Sequence, residues 1–386
     1  MIKINKNSWS DANIEQIVDE VNDRVENPSQ SKYQKFVGLE DFESGQFKIK
    51  KWGSTENLVS AMKLFKKGDL LFARRNAYLK RASEVDFDGI CSGDAIVLRE
   101  KSKIEKGLLT FILNTDRFWE YAIANAAGTM SKRVKWRDLA KYKFLLPTIE
   151  EQKQIAALFQ NIESSLEQVE AQQNNLKTLW KRLIDDFVSD SPSFGNLLKG
   201  KKFKTFNYCD VTEKLMRRID PLNYDIDRIV AGENLESEDF KIRTWQKIGE
   251  GYLGPAFHVL FKTGDILYGS RRTYLRKVSC AEFDGVCANT TYVIRSKEEF
   301  LMQDLLKHIM LSERFTQYSI GVSKGSTNPY INWKDLDNFS FQLPDLKTQK
   351  EIVVVLDDIL AIVEQLKQQK ATLMKLKKKL LNEILG

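Results

Sequence analysis

The chain carries one sequence twice. Residues 68 to 99, GDLLFARRNAYLKRASEVDFDGICSGDAIVLR, align without a gap onto residues 264 to 295, GDILYGSRRTYLRKVSCAEFDGVCANTTYVIR, at an offset of 196, and thirteen of the 32 positions are identical. Residues 42 to 52 match residues 235 to 245 at an offset of 193, and residues 117 to 139 match residues 314 to 336 at an offset of 197. Each copy spans about 190 residues, the size of a whole domain, whereas solenoid repeats recur every 20 to 50 residues. The 386 residues are therefore a tandem duplication, and the shared function should rest on residues that recur.

Within each copy, short β-branched and aromatic runs such as Ala95-Ile-Val-Leu-Arg and Thr291-Tyr-Val-Ile-Arg alternate with Gly and Asp turns and one or two helices, the pattern of an α+β domain. Both copies change character at a proline. After Pro147, Thr148 and Glu151 have the spacing of a capping box, and after Pro344, Asp345 can cap the second copy. From there the apolar residues recur every seven positions: Ile155, Ile162, Val169, Leu176 and Leu183 on one seam, Phe159, Leu166, Trp180 and Phe187 on the other. Ile352, Ile359, Leu366, Leu373 and Leu380, with Leu356, Val363 and Ile384, repeat them in the second copy. Two such seams define a coiled-coil helix of about 50 Å. Gln173 and Lys370 interrupt the seams at the same heptad position, either as a looser point or as a device that fixes register. The expected organisation is a first domain over 1–147, a helix over 148–188, a Ser-, Gly- and Lys-rich linker over 189–204, a second domain over 205–344 and a second helix over 345–386.

Composition narrows the chemistry. Four cysteines without a C-x-x-C pair argue against a zinc ribbon or a disulfide scaffold, and two histidines, His258 and His308, each lack a counterpart in the other copy. No P-loop occurs. Asn328-Pro329-Tyr330 is similar to the Asn-Pro-Pro-Tyr motif of adenine methyltransferases, but a proline is missing and no Gly-rich cofactor strand accompanies it, so the likeness reads as coincidence. No apolar run approaches the roughly 20 residues of a membrane span. The first residues, MIKINKNSWSD, show no export signal, and a cytoplasmic location is expected. A net charge of +7 is compatible with a polyanionic partner.

The charge is not spread evenly. Residues 66 to 81 hold six bases (Lys66, Lys67, Arg74, Arg75, Lys80, Arg81) against Asp69, and residues 262 to 277 hold five (Lys262, Arg271, Arg272, Arg276, Lys277) against Asp265. Each cluster follows a predicted strand and contains a tyrosine, Tyr78 or Tyr274. Guanidinium forks can bond phosphates or the edge of guanine, and tyrosine can pack on sugar or base. A second matched segment, Gly128 to Leu139 and Gly325 to Leu336, offers Thr129, Ser131, Ser326 and Asn328 for phosphate oxygens, with Lys132, Arg133 and Lys324 adding charge. Trp136 and Trp333 read as core, and the repeated Phe-Asp-Gly at 87–89 and 283–285 as a hairpin turn.

Together these features resemble the specificity subunit of type I restriction-modification systems, over nearly the whole chain. That family shows Leu-Pro followed by Glu-Gln, Ile and a coiled-coil helix, present here as LLPTIEEQKQIAALF (145–159) and, with Thr348 in place of the glutamate, as QLPDLKTQKEIVVVL (342–356). The Gly-Asp strand leading into an arginine-bearing loop and the Gly-Thr/Ser turn before the helix also fit. The resemblance implies two target-recognition domains of similar fold held by an antiparallel helix pair with pseudo-twofold symmetry. It implies a non-catalytic reader of double-stranded DNA that recruits two methyltransferase and two restriction subunits; S-adenosylmethionine, ATP and magnesium would belong to those partners, and none to this chain. Half-sites read this way lie roughly 10 bp apart. Asn76 against Arg272 and Ala77 against Thr273 imply that the two words differ. An orphan or exchangeable subunit of a methylase-only system, a stand-alone DNA-modifying enzyme and a coiled-coil interaction protein without nucleic-acid function are the alternatives.

Overall fold

The computed structural model describes residues 5–249 and 254–386; the first four residues of the N-terminal segment read above lie outside the described residues. The chain divides into two compact units, residues 1–170 with 368–386, and residues 171–367. Two 40-residue helices, Ile149–Val188 and Leu346–Leu385, are cut by this division. Each unit thus contains the start of the helix that follows its own sequence and the end of the other. A long amphipathic helix buries its seam against whatever lies along it, and here that changes halfway.

In the first unit, Ser10–Asn13 pairs antiparallel with Lys143–Leu146, so the segment before the long helix is zipped to the start of the domain. One sheet has the order Val18–Val21, Ala95–Glu100, Leu70–Ala73, Ala82–Glu84, and a second has Arg24–Val25, Met62–Phe65, Gly89–Cys91, Lys35–Val37, Gly53–Ser54. The second unit repeats this. Lys204–Asn207 pairs with Ser340–Leu343, and one sheet runs Thr212–Leu215, Thr291–Ser296, Ile266–Gly269, Val278–Cys280. The other runs Gln246–Lys247, Arg228–Val230, Gly285–Ala288, Phe257–Phe261, with the fifth strand reduced to a single bridge from Arg218 to Val259.

The Phe-Asp-Gly turns are structural. Asp88 Oδ1 accepts the Lys67 amide and Asp284 Oδ1 the Thr263 amide, both at 2.8 Å. A Cβ on Gly89 would stand 2.7 Å from the Phe65 ring and 2.8 Å from the Lys35 carbonyl; on Gly285 it would stand 2.5 Å from Phe261 and 3.0 Å from the Arg228 carbonyl. Only glycine fits. Asp69 and Asp265 are buried at the neighbouring turn and bonded by Arg99 at 2.7 Å and Arg295 at 2.6 Å, with Arg217 also on Asp265. Cys91 and Cys287 are buried beside these turns, and burial pushes each thiol up to about 12.

The helix entry explains the Leu-Pro…Gln motif. Gln152 Nε2 donates to the Pro147 carbonyl at 2.9 Å while its Oε1 accepts the Glu105 amide at 2.8 Å; Gln349 does the same with Pro344 and the Met302 amide, each at 3.0 Å. Both glutamines are buried, so each amide rivets the helix start to the domain. The departure at Thr348 is a reversal of the cap. In the first copy Thr148 caps and Glu151 reaches back, 2.8 Å from the Thr148 hydroxyl; in the second Asp345 caps and Thr348 donates to it at 3.0 Å.

Along the helices, Ile155, Phe159, Leu166 and Val169 are buried in the first unit, and Trp180, Ile184, Phe187, Ile352 and Leu356 in the second. Burying each such side chain contributes about 1.5–3 kcal/mol. Within the first unit the two helices run antiparallel, since Glu163 pairs with Lys377 at 2.8 Å and Glu170 with Lys370 at 3.3 Å. Lys370 is therefore an ion-paired seam position, which supports the register-fixing reading. The stretch expected as a linker is packed: Phe194 and Leu198 are buried in the core of the second unit. Trp136 and Trp333 are half-buried against the cores of their units. No helix among the described residues is long and apolar enough to cross a membrane.

Candidate nucleic-acid interface

The two basic segments found in sequence are brought together in each unit. After strand Leu70–Ala73 the chain passes Arg74, Arg75 and Asn76, makes a 3-10 turn over Ala77–Leu79, and returns through Lys80 and Arg81. The second unit has the same loop, with its turn over Thr273–Leu275. Asn76, Lys80, Arg272 and Arg276 all sit in left-handed backbone, at φ 50–55°, and they are four of the five non-glycine residues in that region among those described. Left-handed backbone costs such residues roughly 1–2 kcal/mol each, so something must hold it.

Four of the predicted basic residues do that holding. Lys80 pairs with Asp116 at 2.9 Å, and its counterpart Arg276 pairs with Glu313 at 2.7 Å and Glu238 at 2.9 Å while also donating to the Leu311 carbonyl. Arg81 donates to the carbonyls of Leu39, at 2.8 Å, and of Arg75, at 3.2 Å; burial lowers its pKa. Lys277 donates to the Gly232 carbonyl at 2.5 Å. These four cations are committed to the fold.

Against this loop lies a tight turn closed by backbone bonds between Ala127 and Arg133, and in the second unit between Lys324 and Tyr330. It docks by its backbone: the amides of Asn76 and Val134 donate to the carbonyls of Lys132 and Arg74, at 3.0 and 2.9 Å. In the second unit the amides of Arg272 and Ile331 donate to Pro329 and Ser270, at 2.6 and 2.9 Å. Loop and turn form one surface. Its exposed side chains include Arg75, Tyr78, Thr129, Met130 and Lys132 in the first unit, and Arg271, Arg272, Tyr274, Ser326, Thr327 and Tyr330 in the second, with Ser131 and Asn328 half-buried between. Lys324 is tied to Asp335 at 3.0 Å.

The tips differ in chemistry. In the first unit one carboxylate, Asp94, faces three guanidinium groups: Arg133 at 2.9 Å, Arg74 at 3.8 Å and Arg75 at 3.9 Å. The Arg133 hydrogen bond holds its carboxyl below the usual carboxylate range. In the second unit Ser270, Thr290 and Tyr330 stand in place of Arg74, Asp94 and Arg133. Neither Asp94 nor Tyr330 is among the residues expected at the site, Tyr330 falling within the Asn-Pro-Tyr likeness read as coincidence. Their joint replacement between copies was the available signal, since losing an acid and two bases together marks a compensated cluster.

A twin surface of arginine, tyrosine and hydroxyl groups, repeated on one frame with altered tips, defines a class of duplicated nucleic-acid readers. The sequence pattern of the type I restriction modification DNA specificity domain matches residues 27–178 and 193–375, and the chain belongs to this family. It is 31% identical over 199 residues to the type I restriction enzyme EcoDI specificity subunit of Escherichia coli, a match covering 52% of this chain and 41% of that protein. It is 23% identical over 330 residues to the MjaVIII specificity subunit of Methanocaldococcus jannaschii, covering 77% and 73%. In fold it is similar to the S subunit of the type I restriction-modification system of M. genitalium, with a TM-score of 0.59 at 13% identity over 100% of this chain and 98% of that one. A chain from a study of complex assembly in a type I R-M system gives a TM-score of 0.56 at 20% identity, covering 97% of both.

Proposed function

We propose that this chain is the DNA-specificity subunit of a type I restriction-modification system, reading a split and asymmetric target with one word for each unit. Family membership supports the class. The observation that carries the two-word reading is the repeated frame: the same left-handed loop and the same docked turn, with Arg74, Asn76, Asp94 and Arg133 in one unit against Ser270, Arg272, Thr290 and Tyr330 in the other. Different donors and acceptors at the tips select different base edges.

On this reading the chain itself is non-catalytic. It recruits methyltransferase and restriction subunits, two of each, and these use S-adenosylmethionine, ATP and magnesium. Its own residues supply binding and orientation: exposed Lys132 and Arg271 neutralise phosphates, Tyr78 and Tyr274 pack on sugar or base, and the docked turns place hydroxyls at the backbone.

The test is to sequence the methylomes of cells with and without this protein. Loss of one methylated motif made of two unlike words with a fixed gap is expected. An unchanged set of motifs, or loss of a contiguous one, would overturn the proposal.

A further inference from the structure

The two loops are copies, yet a different arginine is held in place in each. In the first unit Arg75 Nε donates to the Ser131 hydroxyl at 2.5 Å. In the second unit the counterpart of Arg75 is Arg271, which has no side-chain hydrogen bond or ion pair among the described residues. The next residue, Arg272, instead donates from Nε to Asn328 Oδ1 at 3.2 Å. Ser131 and Asn328 occupy equivalent places on the docked turn, at the offset of 197, so the orienting position is shared while the oriented guanidinium slips by one residue.

Holding a guanidinium through Nε fixes its plane without using the terminal nitrogens: those of Arg272 have no partner among the described residues, and Nη1 of Arg75 lies 3.9 Å from the Asp94 carboxylate, beyond hydrogen-bond distance. The terminal pair is the fork that meets O6 and N7 of guanine end-on, the commonest specific contact to a base. A guanidinium without a fixed plane acts chiefly as a charge and suits a phosphate. The backbone agrees with this assignment: Arg272 sits in left-handed conformation at φ 51°, and its amide is bonded to the Pro329 carbonyl, so its position is set by the turn.

Resting on the DNA-reading proposal above, we infer that Arg75 and Arg272 each specify one guanine-cytosine pair, that Ser131 and Asn328 are their positioning residues, and that Arg271 contacts a phosphate. The two words are then read from registers one residue apart on the same loop. Alignment of the copies by sequence pairs Arg75 with Arg271 and assigns the wrong residue to the second word.

The test uses the full chain and a panel of duplexes carrying every single base-pair change of the sequence that the unaltered chain selects from a random pool. Arg75→Ala should flatten preference at one position of the first word, and Arg272→Ala at one position of the second, each by about 10- to 100-fold. Arg272→Lys should lose the same preference while keeping its affinity for unrelated duplex and its salt dependence. Arg271→Ala should weaken binding to all duplexes equally, with preference intact and a shallower salt slope. Ser131→Ala and Asn328→Ala should lose part of the preference at the position their arginine reads and none of the affinity for unrelated DNA. Preference retained by Arg272→Ala or Arg272→Lys, or flattened by Arg271→Ala, would overturn the inference. An unaltered chain that selects no sequence would instead sink the DNA-reading proposal itself.

Discussion

The joints where the helices meet the two units occupy equivalent positions and are built from opposite materials. In the first unit Lys377, 8% exposed, lies 3.8 Å above the Phe47 ring and pairs with Glu163 at 2.8 Å. In the second unit Trp180 takes the place of Lys377 and Leu360 that of Glu163, while His308 and Asp357 replace Phe111 and Gln160. Trp180 Nε1 donates to His308 Nδ1 at 3.1 Å, and His308 Nε2 meets Asp357 at 2.9 Å. Since Nδ1 must accept the indole N–H, the proton sits on Nε2 and the ring is neutral. The difference teaches that a buried joint changes as a set. A lysine needs its glutamate and a tryptophan its leucine and histidine, and one exchange alone leaves a group uncompensated.

This contrast can be broken experimentally, beginning with the largest effect. Trp180→Ala should destabilise the second unit by about 3–5 kcal/mol through a cavity and an orphaned imidazole, with amide-exchange protection in the first unit unchanged. Equal losses in both units would mean that the joints are not independent. Lys377→Met should cost about 3 kcal/mol, because it strands the Glu163 carboxylate. Adding Glu163→Leu and measuring the double-mutant cycle by denaturant unfolding should recover most of that loss; simple additivity would refute the pairing.

The matched glutamines should behave alike where the joints do not. Gln152→Ala leaves one backbone amide and one carbonyl without this partner, and Gln349→Ala leaves the Met302 amide and the carbonyls of Pro344 and Phe300, at about 1–2 kcal/mol for each variant. A loss at only one of them, in thermal unfolding followed by exchange, would show that the entry rivets are not equivalent.

The smallest effect is one of pH. Burial lowers the His308 pKa below 6.5, an effect that exceeds the opposing hydrogen bond that Nε2–H donates to Asp357. The unfolded chain therefore takes up a proton first as pH falls, and the stabilisation from the neutral ring, full above about pH 6.5, is lost below it, by no more than about 1.4 kcal/mol per pH unit. Lys307 and Asp357 also face this ring, but the Asp357 carboxyl is held below its ordinary value of 3.8 by His308 and Lys307 against the cost of burial, so it titrates in a lower window. Protection factors in the second unit, corrected for the intrinsic pH dependence of exchange, should fall as pH drops below about 6.5, and His308→Phe should abolish that fall. A pH response unchanged by His308→Phe would assign it elsewhere.

Much of the fold was legible because duplication, heptads and caps are local or periodic signals: the Leu-Pro entry, the seams and the Phe-Asp-Gly turns could all be read from spacing. The site was less legible because charge alone does not say where a cation is spent. Lys80 and Arg276 looked like DNA contacts, yet Asp116 and Glu313, 36 and 37 residues away, claim them. Base kept with base and acid with acid at corresponding positions was a readable sign of that pair. The slip from Arg75 to Arg272 left no sign in the alignment, since it depends on the reach of Ser131 and Asn328 across a docked turn. Phe194 and Leu198 were hidden by the polar residues around them.

The central claim is that two unlike readers on one frame touch two separate stretches of duplex. Selection of bound duplexes from a random pool by the full chain tests it directly. Two short, unlike words at a fixed separation are expected, with no preference in the base pairs between them. A single uninterrupted word, or two identical words in inverted repeat, would contradict it.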